Sequence, residues 1–94
     1  MITIVAKSII KKGEKEKYLK LAKELIEKSR KENGCISYKI FEEINDSSIL
    51  TFMEQWKNAR AIQEHNNSEH FKRIVPLLAE LRVSKSEINT YREL

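Results

Sequence analysis

Apolar positions along this chain recur with two different periods. Residues 2 to 10, "ITIVAKSII", are rich in β-branched side chains and read as a strand, with Ile2 and Ile4 on one side and Val5 and Ile9 on the other. A strand apolar on both faces calls for two covers. "KKGE" then turns the chain into a helix from Glu14 to Lys31, where Tyr18, Leu21, Ala22, Leu25 and Ile26 follow helical spacing. "ENG" ends it, with Asn33 or Gly34 suited to the left-handed residue that closes many helices.

"CISYKIFEEI" predicts a second strand with Ile36, Tyr38 and Ile40 on one side, and "NDSS" supplies hairpin turn chemistry. The third strand, "ILTFMEQW", places Ile49, Thr51, Met53 and Gln55 on one face and Leu50, Phe52, Glu54 and Trp56 on the other. Asn58 caps a short helix through Asn66, and Ser68 caps a longer one with an apolar stripe of Phe71, Ile74, Val75, Leu78 and Leu81. Pro76 removes a backbone donor from that helix and predicts a kink or break there. "VSKSEINTYREL" alternates as a polar edge strand. The order β-α-β-β-α-β predicts an α+β, ferredoxin-like domain spanning residues 1–94, an antiparallel sheet with helices on one face. The first and third strands are apolar on both sides, so a second copy meeting the open sheet face across a two-fold would cover it.

Composition narrows the class without changing that picture. Ninety-four residues make one small domain, for which association is a natural source of further stability. The apolar opening segment carries Lys7, is too short to span a membrane and has no small-residue cleavage pattern, so neither an anchor nor a leader is expected. A single cysteine, Cys35, has no intrachain partner and fits a reducing, cytoplasmic setting as a small buried hydrophobe. Residues 7 to 31 hold ten Lys or Arg against four Glu, but the one aromatic among them, Tyr18, belongs to the apolar stripe, so they do not form the base-stacking surface that nucleic-acid binding requires. That argues for a solvated helix face rather than a nucleic-acid or membrane surface.

Candidate chemistry gathers in "EHNNSEHF", residues 64 to 71, which holds both histidines. On one continuous helix a five-residue separation is about 500°, so the rings of His65 and His70 would point about 140° apart. No Cys neighbours them, and a zinc or non-haem iron site needs three or more protein ligands. The sequence therefore predicts no metal site, with His70 an ordinary helix-start residue.

The segments "KKGEKEKYLKLAKELI", "NGCISYKIFEE" and "FMEQWKNARAIQEHNNSEHFK" resemble the antibiotic biosynthesis monooxygenase family of small dimeric α/β-barrel proteins, across nearly the whole chain. The signature is E-x-W, a short helix, then H-x-x-S-x-H-F, here Glu54, Trp56, His65, Ser68, His70 and Phe71. The resemblance implies a homodimer and a cofactor-independent oxygenase using O2 on a quinol or phenolic aromatic substrate held between sheet and helices. Relatives that degrade haem use an Asn on the first strand and a His in the last helix. This chain has no Asn in "ITIVAKSII" and Val75 near the ligand position, which argues against that chemistry. Other relatives isomerise a phosphorylated signalling sugar, and the basic surplus keeps that alternative open, as it does a non-catalytic dimeric domain binding a small ligand.

Within the oxygenase reading, His65 is the expected general base or hydrogen-bond partner, because imidazole exchanges protons near neutrality and a substrate anion reduces oxygen more readily. Trp56, Phe52, Phe71 and Tyr38 are expected to wall the substrate, and Asn66 to hydrogen-bond one of its oxygens. Glu54, a carboxylate on an otherwise apolar strand face, calls for a partner or a pocket. Neither a flavin nor a haem motif is visible, so electrons are expected to come from the substrate.

Overall fold

The computed structural model describes residues 1–94. Four strands, β1 (Ile2–Ile9), β2 (Cys35–Glu43), β3 (Asp46–Trp56) and β4 (Glu87–Arg92), alternate with α1 (Lys15–Arg30), α2 (Ala59–Asn66) and α3 (Glu69–Glu80). The sheet runs β2-β3-β1-β4 with every neighbour antiparallel. This is the ferredoxin-like α+β order expected from the sequence, with the second helical region in two pieces. No helix is long and apolar enough to cross a membrane.

Register decides which residues meet the helices. Ile4 pairs with Glu54, Ala6 with Phe52 and Ser8 with Leu50, so these positions share one sheet face. On β3 that face is buried at Leu50, Phe52, Glu54 and Trp56, while Met53 between them is exposed. Tyr18, Ala22 and Leu25 of α1 and Ile74 and Leu78 of α3 bury against it, each set at helical spacing. The opposite face carries Val5, Phe41, Ile49, Met53 and Tyr91. Of these, Phe41, Met53 and Tyr91 are exposed.

Helix starts follow their caps. The Asn58 side chain accepts from the Ala61 amide, and Ser68 Oγ accepts from the Phe71 amide. Other local expectations need correction. The end of α1 uses no left-handed residue: Lys31 is right-handed helical, and Gly13 (φ 84°) holds the one positive φ. Gly34 is required for space instead, since a Cβ there would lie 2.3 Å from the Ala61 Cβ. A register shift between Cys35 and Ser37 turns Ile36 outward, away from the side it was expected to share with Tyr38 and Ile40. The hairpin turns at Ile44–Asn45, so β3 begins at Asp46 rather than at Ile49, and β4 starts only at Glu87. Pro76 sits inside an unbroken α3. It lies on the exposed side of the helix, as does Lys72, whose carbonyl it leaves without a helix donor.

Candidate functional site

Between the sheet and the helices lies a cavity of about 340 Å³. Ile4, Ala6, Phe52, Ile88 and Thr90 form its sheet wall, and Leu25, Ile62, Phe71, Val75 and Leu78 its helix wall. Volume and lining suit a small organic ligand, mostly apolar surface with few polar groups. Those polar groups collect at two ends.

At one end stand Glu54, Tyr38 and Asn66. Glu54 is 7% exposed, and Trp56 Nε1 donates to its Oε1 at 2.9 Å. Burial pushes the Glu54 carboxyl above the usual range, partly offset by Trp56 and by the nearby Tyr38 hydroxyl. The Tyr38 phenol is itself pushed well up by burial and by the Glu54 charge, so it stays protonated and acts as a donor. A carboxyl whose pKa is raised by an apolar pocket binds a proton more readily than a free one, the property a general base needs.

At the other end are Ser8, Ser86, Tyr18 and Arg82. The Ser8 and Ser86 hydroxyls share a hydrogen bond of 2.6 Å, and Arg82 Nη1 donates to Ser86 Oγ. Burial raises the Tyr18 phenol, while Ser8 and the Arg82 charge pull it partly back. Ser8 faces this end because it lies four residues along β1 from Ile4, which pairs with Glu54.

The expected site residues divide accordingly. Tyr38, Phe52, Glu54, Asn66 and Phe71 line the cavity. Trp56 and His65 do not: both are buried behind its wall, their ring centroids 4.4 Å apart. His65 also packs edge-on against Tyr38 and Phe71, at 5.5 and 5.1 Å. The base expected at His65 is thus separated from the cavity by the aromatic residues that line it.

His65 is engaged elsewhere, and its partner was not foreseen. Its Nδ1 lies 2.6 Å from Glu32 Oε2, and His70 Nε2 lies 2.8 Å from the same oxygen. An ionised carboxylate only accepts, so both rings donate to it. Burial lowers the His65 pKa, partly countered by Glu32, which favours the neutral ring. In the neutral Nδ1–H tautomer the buried, unpartnered Nε2 is a bare lone pair rather than a stranded N–H.

This corrects the reading of the two histidines as diverging and of His70 as ordinary. Their spacing assumed one helix, but α2 ends at Asn66 and α3 begins at Glu69, and the junction folds the rings to 6.0 Å apart. The donor atoms of Glu32, His65 and His70 lie within 4.8 Å of one another, the one set that converges closely enough to hold a metal ion. The two N–H···O bonds already satisfy this carboxylate oxygen, and the buried Nε2 lacks the outer partner that a metal-bound histidine normally has. The arrangement fits a clamp joining the end of α1 to the α2–α3 junction. Glu32 lies 33 residues from His65, so no spacing pattern could reveal it.

Comparison with known proteins bears on the whole fold. The sequence model of the family described as antibiotic biosynthesis monooxygenase matches residues 1–77. Bacillus subtilis (strain 168) "Putative monooxygenase YcnE" is 31% identical over 94 residues, covering 95% of this chain and 99% of that protein. An uncharacterized protein of Synechocystis is 33% identical over 90 residues, and the match spans 95% of this chain but 61% of that protein's length. The crystal structure of a conserved protein from Methanosarcina mazei Go1 superposes with a TM-score of 0.97 at 41% identity, covering 99% of this chain and 92% of that one. With its strand order, its E-x-W strand and four-fifths of its length matched, the chain belongs to the antibiotic biosynthesis monooxygenase family.

Proposed function

We propose that this protein is a cofactor-independent monooxygenase that oxidises a quinol or phenolic aromatic with O2 inside the sheet–helix cavity. The observation that carries the reading is Glu54: a buried carboxylate, raised in pKa, opening into an aromatic-walled cavity. In this reading Glu54, rather than the buried His65, takes the substrate's proton. Deprotonation makes the ring electron-rich enough to pass an electron to oxygen. Phe52, Phe71 and Tyr38 confine the ring, and Tyr38 and Asn66 donate to the oxygen left anionic. For an anthrone-type carbon the balance closes without an external reductant: CH2 plus O2 gives C=O plus H2O, all electrons coming from the substrate.

Trp56 is a positioning residue, fixing Glu54 through its indole N–H, and His65 braces Trp56 in turn. Homodimerisation through the outer sheet face is part of the proposal. Phe41, Met53 and Tyr91 there present apolar surface that a second sheet would cover.

Oxygen uptake with anthrone or dihydroxynaphthalene substrates, without added flavin or metal, tests this reading. Uptake should occur in the wild type and drop roughly 10²- to 10⁴-fold in Glu54→Gln. No uptake, or equal uptake in that variant, sinks it. Arg82 in the cavity favours a second reading, isomerisation of a phosphorylated small molecule, which predicts substrate consumption without oxygen uptake.

A further inference from the structure

Arg82 is the one arginine or lysine lining the cavity. Its Nη1 is spent on the neutral hydroxyl of Ser86, and its Nε is buried with no partner. The ion pairs of this chain occupy Lys15, Lys28, Arg60 and Arg73 but not Arg82. A guanidinium is always charged and offers five donors in a fixed fork that matches an oxyanion. Burying part of that fork unpaired costs free energy, which an anionic partner recovers. Around it the chemistry is all hydrogen-bonding and uncharged: Ser8, Ser86 and the Tyr18 phenol.

We propose that Arg82, with Ser86 and Ser8, forms an anion subsite, so that the cavity takes an aromatic ligand bearing a carboxylate or phosphate at the end opposite Glu54. The two ends are of opposite character by construction. Glu54 repels an anion and receives a weakly acidic hydroxyl, whereas Arg82 holds an anion in place. Ile4 and Ser8 mark the ends on β1 and are four residues apart, about 13 Å of strand. Side chains reaching inward from both ends leave room for a fused-ring scaffold rather than a single ring. Orientation follows: the hydroxyl-bearing ring is delivered to the base because the far end is anchored. This subsite deepens the proposed function by naming its substrate class, yet binding through it requires neither oxygen nor turnover.

The test is anaerobic titration of four probes: 6-hydroxy-2-naphthoate, 2-naphthyl phosphate, neutral 2-naphthol and inorganic phosphate alone. In the wild type, at least one anionic naphthyl probe should bind roughly ten- to a hundredfold more tightly than 2-naphthol. Arg82→Gln should erase that advantage while leaving 2-naphthol affinity within about twofold, which also reports that the cavity is intact. Ser86→Ala should reduce the advantage partially. The tighter of carboxylate and phosphate identifies the source of the anion, and phosphate alone should bind weakly because the apolar walls contribute nothing to it. Equal affinity for charged and neutral probes, an advantage that survives in Arg82→Gln, or no binding of any naphthyl probe overturns the subsite. Failure of the oxygenase reading would appear separately, as tight binding of the anionic probe with no oxygen uptake.

Discussion

The indole N–H of Trp56 donates to Glu54, two positions earlier on the same strand and on the same face. Alternation in a strand puts residues i and i+2 side by side, so β3 itself supplies both the buried carboxylate and the donor that steadies its anion. That short E-x-W spacing therefore has a physical content independent of any family: it sets how readily the carboxylate gives up its proton.

Replacing Trp56 by Phe keeps an aromatic ring and removes the donor. The Glu54 pKa should then rise further, because the anion loses a hydrogen bond that favours it. Carbon-13 NMR of the labelled side chain, followed across pH, measures it directly. The acid limb of any pH–rate profile should move the same way. An unchanged pKa would show that Trp56 only fills space.

Glu54→Gln should separate stability from activity. The folded-state pKa of Glu54 is raised, so the folded protein holds this proton more tightly than the unfolded chain does. Its contribution is therefore most favourable below the ordinary carboxylate value and is lost as pH rises through the raised one. At pH 8 the neutral isostere should unfold at higher temperature than the wild type, with little difference at pH 4. Calorimetry at the two pH values decides it, and a lower midpoint at pH 8 would contradict the assignment.

His65 titrates with the opposite sign. Its folded pKa is lowered by burial, so the unfolded chain binds the proton more readily. Stability should decline as pH falls below about 6.5, the ordinary histidine value, towards the lowered one. Measured in the Glu54→Gln background, which removes the opposing carboxyl, the midpoint should drop between pH 7.5 and 5.5. The drop should shrink in His65→Gln. A flat profile would mean that His65 takes up its proton equally in the folded and unfolded states.

Gly34→Ala places a methyl 2.3 Å from the Ala61 Cβ, a contact that neither backbone can escape by rotating a side chain. Overpacking of this kind costs about 1–3 kcal/mol. Denaturant unfolding should register it, and adding Ala61→Gly should recover most of the loss. Absence of rescue would locate the cost in the backbone conformation of residue 34 instead.

Much of this architecture is legible in one sequence because it rests on local periodicity. The alternation of β3, the caps at Asn58 and Ser68 and the stripe of α1 each need only a few neighbouring residues to be read. What escapes is set by distance along the chain. Glu32 meets His65 and His70 only after α1 has turned back across the sheet, and Gly34 meets Ala61 only once α2 has docked. The outward turn of Ile36 hangs on a register shift that alternation alone cannot reveal. The helical-wheel argument about the two histidines failed for a related reason, since a wheel holds only while the helix is unbroken. Among the candidate lining residues, Phe52 and Glu54 follow from strand parity, whereas placing Trp56 and His65 behind the wall needed the packing of three aromatic rings.

Strand β4 pairs with β1 alone, every one of its residues is exposed, and yet Ile88 and Thr90 complete the cavity wall. A wall held by a single ladder opens locally at far lower free energy than the buried strands beside it. Entry of a ligand is therefore expected to run with fraying of this edge. Amide exchange along Glu87–Arg92 should outpace that of β3 and slow markedly once the cavity is filled, the behaviour expected if this exposed edge strand is the doorway.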